Sequence, residues 1–163
     1  MAKARIIGME MFVTQFERMT QEITKINRGA LGSAAGFAAD EMKKALQQMP
    51  VRPDKPAKED HDKKLYGATE SEKNQIIQNF GISTFRDNDG LTNTSIGFTG
   101  YVNTPSKRFH NQVPTGMLMQ VIEYGNQFRK PTHIIGHTES RLKAQVAQKA
   151  QDYIDQQVEH IMN

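Results

Sequence analysis

The chain contains no cysteine and no tryptophan. Without thiols there is no disulfide scaffold, thiolate nucleophile, Cys-ligated zinc or iron–sulfur cluster. Long apolar runs are also missing. None approaches the roughly 18 residues that a membrane span requires. Near the start, Lys3 and Arg5 precede only the apolar pair Ile6-Ile7, too short for a signal-peptide core. Together these absences predict a protein made in a reducing cytoplasm, with no membrane partner. Charge of one sign is scarce as well. The net charge is +3, a weak field for holding nucleic acid. Apolar residues are thin: Leu, Ile, Val and Phe number 34 of 163. That is about 21%, just above the ~20% below which highly charged chains are disordered. A chain of this length makes one domain, residues 1–163, with a thin core that gains from partner subunits.

The usual catalytic patterns are missing too. Gly29, Gly32 and Gly36 have neither Walker nor dinucleotide spacing and continue a helical pattern. No serine lies in a nucleophile-elbow pattern. His133 and His137 suit a metal pair only on a helix, and Pro131 and Gly136 argue against a helix there. His61, within Glu59-Asp60-His61-Asp62, reads as part of a solvated charged loop. Glu123 is an isolated carboxylate in an apolar segment, the mark of a buried hydrogen bond more than of catalysis. The chain therefore reads as a non-enzyme, and no cofactor is expected.

What is present is two amphipathic helices and two polar loops. Met9, Phe12, Phe16, Met19, Ile23 and Ile26 step by three or four. Ala34, Phe37, Met42, Ala45, Leu46 and Met49 resume the stripe. An unbroken helix over 9–48 would be about 60 Å long. The glycines at 29, 32 and 36 between the halves cost about 1 kcal/mol each in a helix. They break or bend it, or let another element approach closely. Pro50 and Pro53 end it. Residues 50–68 then form a polar, proline-bearing loop. It is either a solvated linker or a segment that orders against a neighbouring subunit. Thr69 and Glu72 make a capping box for a short helix with Ile76, Ile77 and Phe80 inward and Gly81 as its C-terminal cap. Asp89-Gly90 between 82–86 and 91–99 signals a β-hairpin. A second polar loop covers 100–116. Met117–Tyr124 is strand or helix, since a short apolar run does not decide. Residues 125–136 read as loop. Thr138 then caps a final helix, with Leu142, Val146, Ala150, Ile154, Val158 and Ile161 on one face. The pattern predicts an α+β fold: a small antiparallel sheet with a β-hairpin, packed by a long N-terminal helix and a C-terminal amphipathic helix, with long loops.

Order and spacing then point to a family. The pieces are Gly67-Ala68-Thr69 with Glu72-Lys73, Ile96-Gly97-Phe98-Thr99-Gly100-Tyr101, and Ile122-Glu123-Tyr124-Gly125 before a Pro-containing loop and the last helix. With the first helix, they make the chain, over about residues 3–162, resemble the neck or tail-completion (head–tail joining) proteins of long-tailed bacteriophages. It departs from the pattern at Val51–Lys55, at Asn126 and at His133–Gly136. The resemblance implies a structural virion protein without catalysis. It implies a homo-oligomeric ring, six-fold in the family, that completes or terminates the tail. Its partners would be the head connector or stopper and the tail-tube proteins. Phage DNA would pass through the lumen without specific binding, and the protein would reside at the virion neck after assembly in the host cytoplasm. On this reading Arg52, Lys55, Lys58, Tyr101, Lys107, Arg108 and Phe109 belong to inter-subunit loops, and Gly29, Gly32 and Gly36 to a helix-packing surface.

An alternative rests on basic residues beside aromatics, which suit single-stranded nucleic acid. Lys107-Arg108 adjoin Phe109-His110, and Arg129-Lys130 follow Phe128. A nucleic-acid-binding accessory protein would use these two clusters, although the surface loops of any basic protein produce them.

Overall fold

The computed structural model describes residues 9–53, 65–88, 91–104 and 112–162, with the side chains of residues 9–12 and 88 excepted. Residues 3–8, which by sequence suit a short edge strand, and most of the two long loops lie outside the described residues.

The first amphipathic stripe forms one unbroken helix, α1 (Met9–Gln47). Its 39 residues reach about 58 Å at 1.5 Å each. Of the outcomes left open for the three glycines, the structure realises close approach without a break. A Cβ on Gly29 would run into the Tyr153 ring. One on Gly32 would lie 3.6 Å from Phe85. Gly36 has open space around it, so the close approach stops at two glycines.

After α1 come α2 (Glu70–Gln78), then β1 (Phe80–Ile82), β2 (Arg86–Asn88), β3 (Leu91–Asn93) and β4 (Ile96–Phe98). The capping box is present in full. Thr69 Oγ1 accepts from the Glu72 amide, and the Glu72 carboxylate accepts from the Thr69 amide. The C-terminal cap is Asn79, not Gly81, which belongs to β1. Here helix and strand abut with one residue between them, so no glycine cap intervenes.

The hairpin is a ribbon of two antiparallel ladders. Phe80 pairs with Phe98 and Ile82 with Ile96. Beyond, Arg86 pairs with Asn93 and Asn88 with Leu91. Hydroxyls join the two: Ser83 Oγ accepts from the Ser95 amide at 3.0 Å. Phe85 rests near Gly32, while Arg28 lies 5.8 Å over the Phe85 ring and 3.5 Å from Asp87.

The second loop is shorter than its sequence suggests. β5 (Tyr101–Val102) and β6 (Val113–Pro114) pair antiparallel and close its ends. The apolar run after it is a helix, α3 (Thr115–Tyr124), ended by Gly125 at φ +74°. The last helix, α4 (Ile134–Met162), begins a turn before Thr138, in a stretch read as loop. Thr138 is a buried helical residue and not the cap. The carboxylate of Glu123 supplies that end instead, accepting from the Ile135 amide at 2.9 Å and the Gly136 amide at 2.7 Å. A buried anion against exposed helix N–H groups and the positive end of the dipole stabilises this turn.

The architecture is α+β, as expected, with three separate two-stranded ladders in place of one sheet. α1 and α4 run antiparallel. Gln15 Nε2 donates to the Met162 carbonyl at one end, and Arg141 pairs with Glu41 at the other. The main core lies at the C-terminal end of α1. Leu46, Met49, Ala68, Ile76, Val102, Val113, Leu118, Met119 and Ile122 are all buried there. The opposite end of the helix pair is an arm. On it Val13, Phe16 and Ile23 are 48%, 55% and 51% exposed, on a part of the stripe that α4 does not fully cover.

Candidate functional site at the roots of the long loops

Both long loops spring from the same place. The first leaves after Pro53 and returns at Leu65. The Ala68 amide donates to the Pro50 carbonyl at 3.0 Å, and the Arg52 amide donates to the Ala68 carbonyl at 2.8 Å. Gly67 permits this closure. It sits at φ +74°, and a Cβ there would collide with the Pro50 carbonyl. The second loop leaves after Thr104 and returns at Gln112. Asn103 receives a 3.1 Å bond from Gln112 Nε2, and its own amide donates to Gln75 Oε1. A third segment, 125–132, lies alongside. The Leu65 amide donates to the Phe128 carbonyl, and the Lys130 amide to the Leu65 carbonyl.

All three segments converge on Glu72, which is 2% exposed on the first turn of α2. Its Oε2 takes the Thr69 amide at 2.9 Å and Arg52 Nη2 at 3.4 Å. Its Oε1 takes Thr104 Oγ1 at 3.2 Å and lies 3.8 Å from Arg129 Nη2. Arg129 Nη1 donates to the Gly67 carbonyl at 2.9 Å. One carboxylate thus ties the start of the first loop, the start of the second and the third segment. Two guanidiniums against one carboxylate leave an excess positive charge in this cluster. Burial lowers the proton affinity of Arg129 and Arg52 lowers it further, while Glu72 opposes both. Among the described residues, Arg52 Nε is buried without a hydrogen-bond partner.

Such a cluster does architectural work. A buried carboxylate with two guanidiniums fixes a geometry that a solvent-exposed pair does not hold, because breaking one contact leaves a charge unpaired in a poor solvent for it. The surface around the roots is apolar in patches. Tyr66, Tyr101, Tyr124 and Phe128 are all half-exposed or more, and Met117 shares the exposed side of α3 with Tyr124.

Of the residues singled out in the sequence, Arg52 and Tyr101 stand at the roots of the two loops. Lys55, Lys58, Lys107, Arg108 and Phe109 lie outside the described residues, as do His61 and His110. The second basic cluster splits: Arg129 is buried in the ion cluster and Lys130 is exposed. His133 and His137 stack edge to face with ring centroids 6.1 Å apart, at the start of a helix that the sequence reading did not place there. Among the described residues no three His, Asp or Glu side chains gather as a metal site. No helix is long and apolar enough to cross a membrane among them either. Arg52, Thr104 and Arg129 were missed as partners of Glu72 because they are 20, 32 and 57 positions away, and only its capping spacing was visible.

No protein-family model matches the chain, and no curated protein or solved structure gives a significant match.

Proposed function

We propose that this protein is a structural subunit of the phage neck, one that forms a ring completing or terminating the tail and joining it to the head connector. The observation that carries the reading is the common root of the two long loops. A small body that anchors both loops on one buried carboxylate holds them at a fixed spacing for neighbouring subunits and rings. The half-exposed apolar face of the arm supports the same reading, since a lone subunit leaves it in water. In a closed ring each subunit uses different surfaces toward its two neighbours. The loop end and the arm provide two such surfaces. The head connector or stopper and the tail-tube protein are the proposed partners on either side. DNA in the lumen would meet a chain of small net charge and pass without being gripped. The virion neck is the proposed location, after assembly in the host cytoplasm.

Mass photometry and negative-stain microscopy of the protein mixed with connector and tail-tube proteins test this. A ring of defined order that bridges the two is the expected outcome. Normal infectious particles from a phage lacking the gene would overturn it.

A further inference from the structure

An apolar groove of about 500 Å³ lies between the two long helices and the ribbon. Ala38 and Met42 of α1, Leu142 and Val146 of α4, and Ile96 and Phe98 of β4 line it, with Glu139 and Lys143 among its polar residues. One wall is the edge of a strand. Thr99 donates its amide to the Asn79 carbonyl, and Ser83 donates to the Ser95 carbonyl. The alternation of an antiparallel ladder then turns the Gly97 backbone toward β1 and the backbone groups of Ile96 and Phe98 away from it. Among the described residues β4 has no second strand beside it, although α3 packs near it. A free edge beside an apolar groove accepts an added strand: main-chain bonds to the edge, alternate side chains into the groove.

The sequence holds a segment of that pattern. In Lys3-Ala4-Arg5-Ile6-Ile7, Ala4 and Ile6 fall on one side of an extended chain and Lys3, Arg5 and Ile7 on the other. This segment is out of reach of its own groove. Lys3 is six residues from Met9, at most about 21 Å of extended chain. The nearest groove residue on α1, Ala38, is 29 residues along the helix from Met9, about 44 Å. Only another molecule brings the two together.

We infer that residues Lys3–Ile7 of one copy add as a strand to the β4 edge of a second copy and seat Ala4 and Ile6 in its groove. The contact is head-to-tail, since segment and groove are different surfaces. This deepens the ring reading and rests on it only for closure of successive contacts into a ring.

The absence of cysteine permits a clean test in the full-length chain. A Cβ at Gly97 enters open space, so Gly97→Cys is sterically tolerated. Adjacent strands bring Cα atoms within the 4.4–6.8 Å or so that a disulfide spans. Gly97→Cys is mixed in turn with Arg5→Cys, Ile6→Cys and Ile7→Cys and oxidised. Circular dichroism checks that each variant retains its helices. The expected result is a mixed dimer, for at least one of the three, about tenfold above a control pairing of Gly97→Cys with Lys25→Cys, whose side chain is 82% exposed on the arm. Mixed dimer at the control level for all three overturns the inference. A synthetic peptide of residues 2–8 gives a second reading. It should lower the cross-link several-fold, and an undiminished cross-link at saturating peptide also overturns it. A ring seen without any mixed cross-link removes strand donation and leaves the ring. A cross-link in a protein that bridges no connector and tail tube removes the neck reading and leaves strand donation.

Discussion

Around Glu72 every buried side-chain polar atom except Arg52 Nε has a partner among the described residues, and Leu46, Ile76 and Ile122 have lost all exposure. Along the arm, Val13, Phe16 and Ile23 stay about half exposed. The two regions belong to one chain and share α1. They differ in how many elements surround each residue. At the body end α1 meets α2 and β1 as well as α4, and Leu46 and Met49 are enclosed. On the arm, among the described residues, α4 covers one side and the ribbon reaches α1 at Arg28. A two-helix layer has no way to bury a stripe wider than the seam between its helices. The body is therefore enclosed on most sides, while the arm leaves half-exposed apolar side chains at its surface.

Substitutions that act within one region and leave the other alone sharpen this contrast. The largest effect belongs to Glu72→Ala. It leaves Arg52 and Arg129 without their anion and removes half of the capping box. The expected loss is about 3–5 kcal/mol, measured by chemical denaturation, from the unpaired buried charges. A loss below about 1 kcal/mol would show that the cluster does not hold the loop roots. Next comes Ile122→Ala, which opens a cavity in the body and should cost about 2–5 kcal/mol. Phe16→Ala, by contrast, should change the stability of the isolated chain by less than about 1 kcal/mol. On the proposed ring reading, the same substitution should weaken ring assembly. Equal costs for Ile122→Ala and Phe16→Ala in the isolated chain would erase the distinction between body and arm.

The sequence announced the two regions unequally. The stripes of α1 and α4 are long and periodic, so both helices were legible, as were the capping box at Thr69 and the ribbon on either side of Asp89-Gly90. The cap of α4 was not. Glu123 lies eleven residues before Ile134, and only folding brings its carboxylate to that helix end. Without that anion in view, the helix start at Ile134 looked like loop, and Thr138 offered itself as a local substitute. α3 was ambiguous because the short apolar run Met117–Tyr124 satisfies either period. The loop roots were hidden for the reason that Glu123 was. Local rules see Thr69 and Glu72 three residues apart, and they do not see Arg129 arriving from the far side of the second loop.

The glycines of α1 allow a finer comparison within one helix. Gly29→Ala gains about 1 kcal/mol of helix propensity. It also drives a Cβ into the Tyr153 ring, which packs the arm, so the net change should be destabilising. In a Tyr153→Ala background the clash is gone, and the same substitution should stabilise by up to about 1 kcal/mol. Gly36→Ala meets open space and should stabilise in either background. Thermal unfolding of the five variants measures these changes. A stabilising Gly29→Ala in the parent chain would mean that Tyr153 does not hold the arm.

The smallest effect lies where body and arm join. Glu41 lies between Lys44 on its own helix and Arg141 on α4. The hydrogen bond from Lys44 holds its carboxyl below the ordinary value of 4.5, with both cations adding to the pull and desolvation opposing it. A carboxyl whose proton affinity falls on folding stabilises the folded chain above its unfolded pKa. That contribution disappears as the pH drops through the lower, folded value. Glu41→Gln removes the anion at every pH. The parent should therefore be slightly more stable than Glu41→Gln at neutral pH, and the two should converge once the pH is well below 4.5. Salt should narrow the gap, since Lys44 and Arg141 are both well exposed. A gap that persists unchanged in strong acid would mean that the side chain of Glu41 acts through packing, and that the join between α1 and α4 does not depend on its charge.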